Sequence, residues 1–131
     1  MTRPIDIFTV SPSLPEPVED LRRVAHNLRW AWNHDIIGLF RRLDDALWEE
    51  TGHNPVLMLG TVEQDRLERA AADQGFLAHL DRVVRNLDDY LSEKSTWFAR
   101  TQALPDGRPL VVYFSVEFGL TECLEIFAGG L

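Results

Sequence analysis

Lysine and cysteine are nearly missing from this chain. Its 131 residues include twelve arginines but one lysine, Lys94, and a single cysteine, Cys123. One cysteine excludes an internal disulfide, and no Cys/His metal pattern or HExxH motif occurs. Positive charge is short as well. Thirteen Lys and Arg stand against 21 Asp and Glu, a formal net charge of −8. That balance repels a phosphate backbone and argues against general nucleic-acid binding. No run of about 18 apolar residues exists, so no membrane span is expected. The opening stretch "MTRPIDIFTVSPSLPEP" has prolines and acids where a signal peptide needs an unbroken apolar run. Together these absences predict a soluble cytoplasmic protein.

What is present suits one folded domain of ordinary composition, 45% hydrophobic and 26% charged. Residues 1–16 read as an extended, proline-rich segment. Residues 17–103 read as a helical domain, and 104–131 as the start of something else. Pro17 fits the first turn of a helix, where its missing N–H costs nothing. Val18, Leu21, Ala25, Leu28 and Trp32 then recur at spacings of three and four, a stripe facing a core. Ile36, Phe40 and Leu43 resume it after a break near Asn33-His34-Asp35. Asp44 caps a short helix carrying Leu47 and Trp48, which Gly52 ends. Asn54 and Pro55 open another. Thr61 and Gln64 have the spacing of a capping box for a helix reaching about Ala72. Asp73 caps a longer one, whose face is Phe76, Leu80, Val83, Leu87 and Tyr90. Leu77, Val84 and Leu91 lie beside that face, and the helix extends towards Trp97 and Phe98.

The period changes after "LPDGRP" (104–109), which is turn chemistry. Residues 110–114 are continuously apolar, as in a strand buried on both faces of a parallel sheet. One strand makes no sheet, so the α/β part is incomplete. The expected fold class is mainly α: a helical N-terminal domain, then the first strand and Gly-Gly turn of an incomplete Rossmann-like α/β domain.

Most polar groups have plain structural readings. The four histidines sit in no ligand pattern; Glu50 and His53 are three apart, but Gly52 breaks the helix that would align them. The pairs Asp44-Asp45, Glu49-Glu50 and Asp88-Asp89 point about 100° apart on a helix and do not share a site. Ser115 lacks the surroundings of a hydrolase nucleophile. Trp30, Trp32, Trp48 and Trp97 suit either a sugar platform or a core, and their helical spacing favours the core. Gly129 and Gly130 permit positive φ and bare backbone amides, which suit either an anion-binding nest or an ordinary tail.

Three stretches carry a resemblance: "NLRWAWN" (27–33), "LFRRLDDALWEETGHNPVLML" (39–59) and "VVYFSVEFGLTECLEIFAGGL" (111–131). In this order and spacing they resemble the start of a bacterial α-glucan phosphorylase with a helical N-terminal extension of unknown function. Residues 61–100 match in pattern more than in motif. The resemblance implies a pyridoxal-phosphate enzyme that transfers glucose from an α-1,4-glucan to inorganic phosphate, giving glucose 1-phosphate. The cofactor's phosphate would serve as proton donor or relay. It implies that Gly129, Gly130 and Leu131 place backbone amides near the phosphates and the glucose, and that Glu117 lies close to the pocket. The branch usually reads nearer to "HESLPIYSGGLG"; here Glu125 replaces its proline and Phe127 its tyrosine. No catalytic residue and no metal ligand is expected in this chain. The cofactor lysine and the rest of the phosphorylase chain would lie downstream, so the chain is expected to bind no pyridoxal phosphate and to be inactive alone. The alternative is a stand-alone helical interaction or glucan-docking module without catalysis.

Overall fold

A computed structural model describes residues 11–97, Arg100, Val112 and 120–124. Among the described residues six α-helices follow one another: α1 (Asp20–Ala25), α2 (His34–Leu43), α3 (Asp45–Glu50), α4 (Pro55–Thr61), α5 (Gln64–Ala72) and α6 (Gln74–Ser92). Short 3-10 turns at Glu16–Val18 and Leu28–Ala31 flank α1. The domain is mainly helical, and no strand forms among the described residues. The strand expected over 110–114 lies outside them except for Val112, which is exposed.

Side-chain caps fix four helix starts, because each supplies an acceptor to otherwise orphaned backbone N–H groups. Asn33 accepts from Asp35 and Ile36, Asp44 from Leu47, Asn54 from Val56 and Leu57, and Asp73 from Gly75 and Phe76. The caps at Asp44, Asn54 and Asp73 follow the sequence expectation, and Asn33 caps α2 where the sequence reading places only a break. The capping box at Thr61 and Gln64 does not form. The Thr61 hydroxyl donates back to the Leu57 carbonyl, and Glu63 precedes α5 without a side-chain cap bond. The Gln64 amide is used elsewhere. It accepts from the Ser13 N–H at 2.9 Å and donates to the Ser13 carbonyl at 3.0 Å, satisfying both backbone groups of that residue.

The core centres on α6, which packs against α1, α2 and α5. Phe76, Leu80, Val83 and Leu87 of α6 meet Leu21 and Val24 of α1, Leu39 and Phe40 of α2, Met58 of α4 and Leu67 of α5 in one buried cluster. Arginines tie the rim of α6. Asp35 of α2 accepts both Nε and Nη2 of Arg82, at 3.0 and 2.6 Å. That bond holds the Asp35 carboxyl below its usual range. Arg42 reaches the Asp73 carboxylate and the Gly75 carbonyl at the start of α6. Arg29 lies over the Tyr90 ring, 3.9 Å from its centroid, and Arg23 pairs with Asp88.

Four expected core positions are corrected. Leu28 and Trp32 are exposed, because α1 ends at Ala25 and Asn27 caps a 3-10 turn that shifts the register. Trp30 turns inward instead. Tyr90 is 50% exposed, its ring serving Arg29. Trp97 is 69% exposed, beyond the end of α6 at Ser92, so α6 does not extend to it. Of the four tryptophans, Trp30 and Trp48 alone are core.

The end of α3 has a specific left-handed geometry. The His53 N–H donates to the Trp48 carbonyl at 2.9 Å and the Gly52 N–H to the Glu49 carbonyl at 3.1 Å. This is the double bond of a Schellman turn. It requires Gly52 at φ 60°, and His53 continues it at φ 62°. A Cβ at Gly52 would meet no atom within 4 Å, so only backbone strain opposes it. Gly52→Ala should therefore lower stability by about 1 kcal/mol. Gly60→Ala, also unobstructed but within α4, should raise it by about 0.5–1 kcal/mol. Urea unfolding of the two variants should give shifts of opposite sign; equal signs would refute the backbone account.

Candidate functional site

The four residues expected to form the phosphate loop and its pocket, Gly129, Gly130, Leu131 and Glu117, lie outside the described residues. The chemistry that the structure does assemble sits elsewhere, at the Schellman turn. A cleft of about 320 Å³ opens there between α2, α3 and the 120–124 turn. Trp30, Ala31 and Ile37 supply its apolar lining, with His34, Arg41, Glu49, His53 and Glu122 around them.

His53 is the hinge of this arrangement. The left-handed turn swings its ring back onto Trp48, with centroids 5.4 Å apart and planes 29° apart. Trp48 in turn stacks on Phe40 at 5.9 Å and 11°. The imidazole Nε2 lies 2.9 Å from Glu49 Oε2, and Nδ1 lies 2.6 Å from Glu122 Oε1. Arg41 of α2 completes the row, donating to Glu49 Oε1 at 2.7 Å and to Asp45 Oδ1 at 2.9 Å. Charges therefore alternate along Asp45, Arg41, Glu49, His53 and Glu122.

The electrostatics arise from these contacts. The Glu49 hydrogen bond, then that of Glu122, raises the affinity of the His53 ring for its proton above the ordinary value. The same ring, with Arg41 adding, holds the Glu49 carboxyl below the usual range. Both groups move towards their charged forms. The row is thus an ion-paired structural chain. Among the described residues, no three His, Cys, Asp or Glu side chains are arranged to hold a metal ion. Trp30 and Trp48 are buried, so they offer no open face for a sugar ring.

The sequence spacing singles out Glu50 with His53 and gives a reason against the pair. Glu50 is indeed not the partner. Glu49, at i−4, is, and it has a local signal: a Gly-His pair after a helix ending in Glu-Glu brings position C″ back over the last turn. Glu122, 69 residues on, has no local signal.

A family model described as "Protein of unknown function (DUF3417)" matches residues 14–124. The glycogen phosphorylase of Mycobacterium tuberculosis (strain ATCC 25618 / H37Rv) is 43% identical over 131 residues, 95% of this chain and 15% of that protein. The maltodextrin phosphorylase of Thermococcus litoralis is 31% identical over 122 residues, 93% of this chain and 14% of that protein. The glycogen phosphorylase of Aquifex aeolicus is 35% identical over 113 residues, 86% of this chain and 15% of that protein. The chain thus spans about 15% of the length of the relatives it matches. No solved structure matches it significantly. No helix among the described residues is long and apolar enough to cross a membrane. The chain belongs to the DUF3417 family and is similar, over nearly its whole length, to a segment of glycogen and maltodextrin phosphorylases.

Proposed function

We propose that this chain serves as the N-terminal portion of a cytoplasmic α-1,4-glucan phosphorylase, which moves glucose from an α-glucan to inorganic phosphate and releases glucose 1-phosphate. The observation that carries the reading is 43% identity to a glycogen phosphorylase across 95% of the chain. Residues 17–103 act as a helical scaffold, and 104–131 begin the catalytic α/β domain. Gly129, Gly130 and Leu131 bring backbone amides to the substrate and cofactor phosphates, where bare N–H groups stabilise anionic oxygens. Glu117 lies beside that pocket.

The described residues do not fit pyridoxal phosphate. An internal aldimine needs an enclosed, desolvated lysine. The chain's only lysine, Lys94, is exposed just past the end of α6. No step through the cofactor is assigned to this chain, and the cofactor lysine belongs to the remainder of the phosphorylase.

Three measurements test the reading. The isolated chain should give no glucose 1-phosphate from maltodextrin and phosphate. After incubation with pyridoxal phosphate and borohydride reduction it should carry no stoichiometric pyridoxyl group at Lys94. A chimaera in which this chain replaces the matched segment of the Mycobacterium tuberculosis glycogen phosphorylase should keep glucose 1-phosphate production. A folded but inactive chimaera, or turnover by the isolated chain, would overturn it.

A further inference from the structure

The His53 ring faces a carboxylate at each nitrogen, Glu49 on one side and Glu122 on the other. A neutral imidazole has one N–H and one bare lone pair, so it cannot donate to both. Losing the proton turns one contact into lone pair against carboxylate. The ring cannot easily turn away, because its backbone is fixed in the left-handed turn and its face lies on Trp48. Across the cleft, Glu122 belongs to a compact turn closed by the Leu124 N–H on the Thr121 carbonyl at 3.1 Å. Cys123 of that turn packs against the core.

We propose that His53 is a positioning residue whose protonated ring bridges Glu49 of α3 to Glu122, docking the 120–124 turn on the helical unit while the proton is held. The two carboxylates facing the ring favour this state. Glu49 on α3 and Glu122 on the turn both oppose loss of the proton. Arg41 of α2 opposes its retention, but two carboxylates, Glu49 and Asp45, occupy its guanidinium. His34, at the start of α2, lines the same cleft. The ring's proton affinity is raised in the folded chain. Its contribution is therefore complete below the ring's ordinary pKa of about 6.5 and is lost as the pH rises through the higher folded value. Only the consequence for catalysis, that the turn leads towards Gly129 and Gly130, rests on the proposed function.

Nuclear magnetic resonance of the whole chain tests the proposal without substrate, so its failure and the failure of the phosphorylase reading are separable. In a titration from about pH 5.5 to 9.5, the amide signals of Thr121 and Leu124 should move with the same midpoint as the His53 ring. In His53→Gln they should stay still. Glu122 is 73% exposed at its side chain, so Glu122→Gln leaves the core untouched. That variant should lower the ring's midpoint by about half a pH unit, the size expected of an exposed ion pair. Turn signals that still titrate in His53→Gln would overturn the proposal. An unchanged ring midpoint in Glu122→Gln would overturn it too, even if His53→Gln failed to fold.

Discussion

Replacing Phe40 with alanine should cost the helical unit about 3–5 kcal/mol, the largest loss expected of any single substitution here. Phe40 has no exposed surface and lies within α2. Its ring stacks on Trp48, which also carries the His53 ring. Truncation removes the transfer free energy of a whole benzyl group and leaves a cavity that a stacked indole is too rigid to fill. Natural domains of this size keep only about 5–15 kcal/mol in total, so the variant should be near the edge of folding. Urea unfolding measured by helical circular dichroism gives the number. A loss under about 1 kcal/mol would mean that α2 and α3 do not meet as described.

The second large effect is a contrast. Leu80→Ala should cost about 2–5 kcal/mol, whereas Trp32→Ala should stay within about 0.5 kcal/mol. Leu80 is buried where α6 packs against the other helices. Trp32 is the bulkier residue, but it is 55% exposed at the end of a 3-10 turn. If the two losses came out equal, the register of the Leu28–Ala31 turn would be wrong.

That contrast also marks how far the sequence can be read. Helix starts are legible because each cap is a local chemical event: a short polar side chain, then a free N–H two or three residues on. Asn33, Asp44, Asn54 and Asp73 all behave so. The apolar stripe is legible as far as Ala25. It fails at Leu28 and Trp32 because a 3.6-residue period does not carry across a stop. Asn27 is the sign of that stop; its side chain accepts from the Arg29 N–H at 3.0 Å and opens the tighter 3-10 turn over Leu28–Ala31. Thr61 and Gln64 fail for a different reason. A capping box is two side chains with a choice of partners, and Gln64 bonds instead to Ser13, 51 residues away.

The site divides along the same line. The Gly52 stop is visible, since only glycine takes that backbone cheaply. Its result, His53 folded back on Glu49, follows from the Gly-His pair after Glu-Glu, whereas the stacking on Trp48 depends on packing that no motif encodes. Glu122 reaches His53 only through the tertiary fold. Gly129, Gly130, Leu131 and Glu117 rest on the family resemblance alone, because no local pattern distinguishes a phosphate-binding turn from a plain glycine turn.

The preference for arginine has one more consequence. Guanidinium groups make the ties around α6, so amine chemistry plays no part in them. Lys94 is exposed, immediately after Glu93 closes that helix. A lysine-specific protease thus has one address in the whole chain, and it lies at the seam between the packed helices and everything downstream. The same amine offers a single side-chain anchor for a dye, a bead or a surface, placed where the ion pairs around the helical unit stay undisturbed.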